Sequence, residues 1–134
     1  MKKVLLLLTA ITVLSSCLNA DDLPNYKYEF LKIDEATTPD SFTLGQKDTI
    51  KIKYTLLNSC YSFDNIYYEH QDSTRIVAVR SYVDLDSNCA EVITQKEYDI
   101  IVNVAQEEDY IFKFYKGVDI DGENIFEEVI IPVN

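Results

Sequence analysis

The chain has 134 residues, with 23 acidic against 12 basic ones and a formal charge of −11 at neutral pH. That length suits a single domain. The acidic balance argues against nucleic acid, whose phosphates call for clustered Lys and Arg, and against adsorption to an anionic bilayer surface. Apolar residues make up 47 % of the chain, an ordinary globular share, and ten Tyr and six Phe with no Trp favour strands.

Lys2 and Lys3 precede an apolar run from Val4 to Leu14, and Ser15 and Ser16 lead from it to Cys17. A positive start, a short apolar stretch and small residues before a cut describe a secretory signal peptide. The run is too short to cross a bilayer as a helix, which takes about 20 residues. Leu14-Ser15-Ser16-Cys17 resembles the lipobox of bacterial lipoproteins. The resemblance implies that residues 1–16 are removed and that Cys17 carries a diacylglyceryl thioether with palmitate-type chains. Two or more acyl chains anchor stably where one does not. Loss of Lys2 and Lys3 with the leader leaves ten basic residues and a formal charge of −13, so the lipid has to hold the protein to the membrane. Residues 17–25 then form a lipidated tether. Its Asn19-Ala20-Asp21-Asp22 is similar to the acidic export signal of Bacteroidota surface lipoproteins; a plain solvated leader explains the same residues. The expected location is the cell envelope, lipid-anchored at the outer membrane, and the export-signal reading implies surface exposure.

From Tyr26 onward the chain reads in period two. Tyr26-Lys27-Tyr28-Glu29-Phe30 alternates apolar and charged, as a half-buried strand does. Thr37 to Asp40 is a loop, and Ser41 to Leu44 a short edge strand stopped by Gly45. Thr49 to Leu56 is the clearest strand, with Ile50, Ile52, Tyr54 and Leu56 on one face. Phe63 to Glu69 and Arg75 to Val83 form a hairpin about the polar turn 70–73. Val77, Val79 and Val83 share a face with Arg75 and Ser81. Tyr98 to Val104, Tyr110 to Tyr115 and Ile125 to Val133 follow. Tyr98, Ile100, Val102 and Val104 are expected inside. Pro132 belongs at a strand end or edge.

The pattern predicts an all-β fold, an immunoglobulin-like antiparallel β-sandwich of about seven strands over residues 26–134. Its core is expected to draw on Ile50, Ile52, Tyr54, Ile100, Val102, Tyr110, Phe112 and Phe114. Glu107-Glu108-Asp109-Tyr110-Ile111-Phe112 resembles the approach to the sixth strand of immunoglobulin-like folds, and the final hairpin resembles the end of small Ig-like bacterial lipoproteins. The resemblance implies a tyrosine corner at Tyr110, a hydrogen bond from the ring hydroxyl back to the backbone. It departs from antibody domains in having no Trp and in where its cysteines fall, and it implies no activity.

With Cys17 taken by lipid, Cys60 and Cys89 remain, an even number in an oxidising compartment, and a disulfide is expected. Two zinc ligands are the alternative, with His70 as the single histidine. Asp119, Asp121 and Glu128 fall at positions 3, 5 and 12 of an EF-hand-like loop counted from Gly117. The Asp-Gly pair there reads better as a hairpin turn, and no metal or cofactor is expected. His70 reads as a solvated turn residue. Tyr67 and Tyr68 point to opposite faces of one strand, one toward the core and the other available to a partner-binding patch. Asp84 and Asp86 could act as acid and base only inside a cleft.

No catalytic constellation emerges, and the expectation is not an enzyme. It is a lipid-anchored, non-enzymatic binding or accessory module for a protein or glycan, with the membrane reached through the lipid and no nucleic-acid partner. An envelope hydrolase using loop carboxylates and a structural or inhibitory lipoprotein are the alternatives. The anchor is directly testable. Cys17→Ala should move the protein from the membrane fraction to the soluble one, and retention on membranes after a high-salt wash would exclude the lipid.

Overall fold

The computed structural model describes residues 24–134. The lipobox, Cys17, Asp21 and Asp22 lie outside the described residues. Eight strands follow one another: β1 (Tyr26–Leu31), β2 (Ile33–Thr37), β3 (Lys47–Leu56), β4 (Tyr61–Gln71), β5 (Thr74–Asp84), β6 (Thr94–Asn103), β7 (Tyr110–Val118) and β8 (Asn124–Ile131). No described residue is helical. The expected β-sandwich is present, with eight strands in two sheets.

The small sheet runs β2-β3-β6 and is antiparallel throughout. In the large sheet β5 is the hub. One side of β5 pairs with β4 along its length, and the other is shared by β1 and β7, with β8 beyond β7. The β5–β7 pair is parallel, over Thr74↔Ile111 to Val77↔Phe114. Every other strand pair is antiparallel, so this pair departs from the antiparallel expectation. It arises because β6, which precedes β7 in the chain, belongs to the opposite sheet, and the chain re-enters the large sheet in the direction of β5.

Two elements differ from the sequence pattern. The chain crosses between sheets at Lys32, which separates β1 from β2. Leu31 and Ile33 on either side are both buried, so one extended segment serves both layers. Around Phe42 there is no strand. Phe42 makes an isolated parallel bridge to Val133 and is fully buried, its ring 5.2 Å from that of Tyr110.

The core forms where the inner faces meet. All eight residues expected there are buried, joined by Leu31, Ile33, Phe42, Val77, Val79, Val104 and Ile131. Tyr110, Phe112 and Phe114 alternate along β7 and stack as a ladder, with ring planes 14° and 11° apart. Arg75 and Ser81 lie on the core face of β5, as their spacing required, and both are buried. Ser81 Oγ donates to the Glu29 carbonyl at 2.8 Å. The tyrosine corner exists with its polarity reversed: the Tyr110 hydroxyl accepts from the Ala105 N–H at 3.0 Å.

The β4–β5 hairpin closes through the two-residue loop Asp72-Ser73, where Asp72 stands at φ 53°. Asp tolerates this left-handed region better than most residues. His70 and Gln71, expected in the turn, belong to β4. At the other end of the hairpin Cys60 and Cys89 are bonded, with Cα atoms 5.3 Å apart. The returning loop is tied further: Ser59 N–H donates to the Ala90 carbonyl at 3.0 Å and Ala90 N–H to Ser59 Oγ at 2.8 Å.

The disulfide closes a 29-residue separation. The Cys60→Ser, Cys89→Ser double variant should fold but lose about 3–4 kcal/mol in urea unfolding, the chain-entropy cost of freeing such a loop. Tyr110→Phe should cost about 1–2 kcal/mol, because Ala105 N–H then loses its acceptor in a part-buried place.

Candidate functional site

Two surfaces stand out, one on each side of β4. The first is the outer face of the large sheet. Tyr26, Tyr28 and Phe30 of β1 were expected to form the buried half of their strand. They are the exposed half, with Tyr28 52 % and Phe30 45 % exposed. The charged half, Lys27 and Glu29, shares the inner side with Leu31. Those two charges pair at 2.8 Å, and Glu29 accepts from the Tyr61 hydroxyl at 3.2 Å. Leu31 alone supplies the apolar burial of β1, and the register with β5 puts Glu29 opposite buried Ser81.

The exposed rings continue across the sheet. Tyr26, Tyr28 and Tyr82 form one group, with centroids 4.8–6.5 Å apart. Phe30 meets Tyr67 at 5.4 Å and Tyr115 at 6.3 Å, and Tyr115 meets Phe126 at 6.0 Å. Arg80 joins the two groups. It lies opposite Phe30 in the register, its guanidinium sits 4.8 Å over the Tyr28 ring, and its Nε donates to Asp64 at 2.6 Å. Asp64 is the extra residue of a bulge in β4, which turns its carboxylate toward Arg80. Between Phe30, Tyr67, Tyr115 and Phe126 the face dips into a shallow depression of about 250 Å³. Seven rings on one solvent-facing surface are a contiguous apolar patch of the kind that marks interaction sites.

Tyr67 and Tyr68 do point to opposite faces. Tyr67 joins the aromatic surface, where its hydroxyl donates to Glu69. That bond, with a second from Gln71 at 2.7 Å, holds the Glu69 carboxyl below its usual range and pushes the Tyr67 hydroxyl up. Tyr68 is half-buried on the inner side, and burial raises its hydroxyl.

The second surface is a cleft of about 730 Å³ where the edges of the two sheets, β4 and β6, face each other. Phe63 stacked on Tyr98 at 5.1 Å joins β4 to β6, and Arg75 reaches Gln106 from the turn at the far end of β4. Tyr68, His70 and Tyr110 line the space between. Tyr98 was expected inside and is 39 % exposed; its ring stacks on Phe63 at the mouth of the cleft, while Ile100 and Val102 further along the same face are buried. His70 is exposed and packs 5.1 Å from Tyr68.

None of the remaining candidates lines the depression or the cleft. Asp84 accepts from Ser87 Oγ at 2.6 Å and from the Asp86 N–H at 2.9 Å. These bonds hold its carboxyl below the usual range, the opposite of what a general acid needs. Asp86 accepts twice from Asn25, both at 3.2 Å. The two carboxylates therefore tie the Cys89 loop to the start of β1. Asp119 accepts from the N–H groups of Asp121 and Glu123, each at 2.9 Å, and Gly122 stands at φ +84°. Residues 119–123 are thus a hairpin turn closed by Asp119. Glu128 lies in β8 and pairs with Lys113 at 3.7 Å. Among the described residues no group of three or more potential metal ligands converges.

A family model of the ORF11 beta-sandwich domain matches residues 50–124, more than half of the chain, from β3 to the start of β8. No curated protein and no solved structure matches.

The depressed Glu69 carboxyl gives a prediction with a definite sign. Its titration, followed by the carboxyl carbon in NMR, should fall below the ordinary 4.5. Any stability from the Tyr67–Glu69 bond is then present above the unfolded value and lost as pH falls through the folded one. In Tyr67→Phe the midpoint should return upward.

Proposed function

The chain belongs to the ORF11 beta-sandwich domain family, and we propose that it is a non-enzymatic binding module that meets a protein or glycan partner through the aromatic face of its large sheet. The single observation behind this is the inverted β1. A strand whose pattern offers three rings for burial turns them to solvent, beside four more rings from β4, β5, β7 and β8. Tyr and Phe supply large, rigid contact area at little entropic cost, and such residues dominate interface energetics. A flat ring surface also stacks on the C–H faces of sugars. The charges at its margin, Arg80 with Asp64 and Lys113 with Glu128, are already paired, so they frame the rings with polar groups as an interface rim does.

In this reading the module is a cell-envelope lipoprotein. Cys17 carries the lipid at the outer membrane, and the tether up to Asn25 spaces the sandwich from the bilayer. The net negative charge keeps the body off anionic lipid, leaving the aromatic face free for a partner.

A photo-crosslinking residue at Tyr67 in intact cells should capture a discrete partner, and the same residue at Lys51, on the small sheet, should not. The Phe30→Ser, Tyr67→Ser double variant should keep its melting temperature within a few degrees and lose the partner. A glycan array with the purified protein separates the sugar from the protein case. Equal capture from both positions, or binding unaffected by the double variant, would remove the aromatic face from the function.

A further inference from the structure

The cleft between β4 and β6 holds something the aromatic face does not, a buried cation without an anion. Arg75 is 6 % exposed. Of the ion pairs among the described residues, none includes it, although the chain carries 23 acidic residues. Its Nη1 donates to the carbonyls of Asp72 and Thr74, and its Nη2 donates to the side-chain oxygen of Gln106. Its guanidinium carbon lies 4.9 Å from the Tyr110 ring centre. Every one of these partners is neutral. The Nε–H has no partner at all. A guanidinium presents five donors in a planar fork that matches a carboxylate two at a time. A charge taken out of water and not compensated is costly, and an arriving anion relieves that cost.

β6 supplies the second half of the site. It is the outer strand of the small sheet, and residues 98–103 line the cleft consecutively. Consecutive residues alternate between faces, so the cleft exposes the backbone edge of β6 as well as one side of it. Natural edge strands are blunted by shortness, proline, bulges or charged side chains. β6 has ten residues, no proline and an unbroken register with β3, and its charges, Lys96, Glu97 and Asp99, leave the stretch from Ile100 to Asn103 uncharged. Ile101 near its C-terminal end is 57 % exposed.

We infer that the cleft receives an extended segment of a partner polypeptide, added as a strand to the free edge of β6, with an Asp or Glu side chain of that segment on Arg75. The carboxylate takes the place of the neutral Gln106 oxygen, and main-chain hydrogen bonds to β6 supply sequence-tolerant affinity, as in other strand additions. An acidic sugar would satisfy Arg75 but leave the β6 edge unpaired, and for that reason a peptide is the better occupant. The site is separate from the aromatic face and does not depend on it.

A library of random ten-residue peptides displayed on phage, selected on the detergent-solubilised full chain, tests this. Enriched peptides should share one acidic residue among alternating β-branched or aromatic ones, and on binding should slow amide exchange along residues 98–103. Arg75 supports the hairpin turn, so its own replacement could unfold the chain. Gln106→Glu is the informative variant. It puts a carboxylate on Arg75 from within, at the loss of the amide's donated bonds to the Glu108 and Asp109 carbonyls, so it should lower the melting temperature by a few degrees in a chain that stays folded, and should weaken the selected peptides at least tenfold. Phe30→Ser should leave them unaffected, so failure here is distinguishable from failure of the aromatic face. Absence of enrichment, enriched peptides without an acidic residue, protection on β4 instead of β6, or unchanged affinity in Gln106→Glu would each overturn the inference.

Discussion

The ring ladder of Tyr110, Phe112 and Phe114 on β7 is the contact on which the two layers depend. Its members alternate along one strand and stack at nearly parallel angles. Phe42 from a loop seats edge-on against Tyr110 and Phe112, and Tyr68 meets Phe112 from β4. Aromatic side chains bury the largest areas available to a core, and offset or edge contacts add to that burial. Placing the ladder at the centre of the large sheet puts β7 beside β5, and the chain, arriving from β6 of the other sheet, runs parallel to β5 there.

The same ladder links the core to the cleft. Tyr110 holds the Ala105 backbone through its hydroxyl and offers its ring to Arg75. Arg75 in turn secures the Asp72-Ser73 turn through the Asp72 carbonyl and joins β5 to the loop after β6 through Gln106. The cleft is therefore held open by rigid parts: a stacked Phe63–Tyr98 pair and a guanidinium set among neutral acceptors.

The two sides of the sandwich are managed differently. On the β2 side Lys116, the extra residue of a bulge in β7, donates to the Asp34 carbonyl at 3.1 Å and to Glu127 at 2.9 Å, and so stitches the sheets together. On the β4–β6 side the sheet edges stay apart over the length of the cleft. A sandwich stitched along one side and open along the other leaves the β6 edge accessible across the cleft.

Much of this was legible in the sequence because it is local. Alternation over Thr49–Leu56 and Tyr110–Tyr115 marks strands and their inner faces, since side chains in a strand change sides at every residue. The polar residues near Asp72 mark a hairpin, and that hairpin pairs Tyr61 with Val83, which puts Cys60 at its open end within reach of Cys89. Tyr67 and Tyr68 had to part because they are adjacent. What the tertiary structure decided is which side of each strand meets another layer. Period two in β1 distinguishes rings from charges but cannot say which set is covered; that depends on Ser81 and Tyr61, far along the chain. The five residues of β2 and the lone Phe42 carry too little periodicity to signal themselves, and they acquire their places from β3 and Val133. The unpaired cation of Arg75 was visible only as a charge on an apolar face. That its partners are all neutral, and that the β6 edge lies across from it, follows from the packing of one sheet on the other.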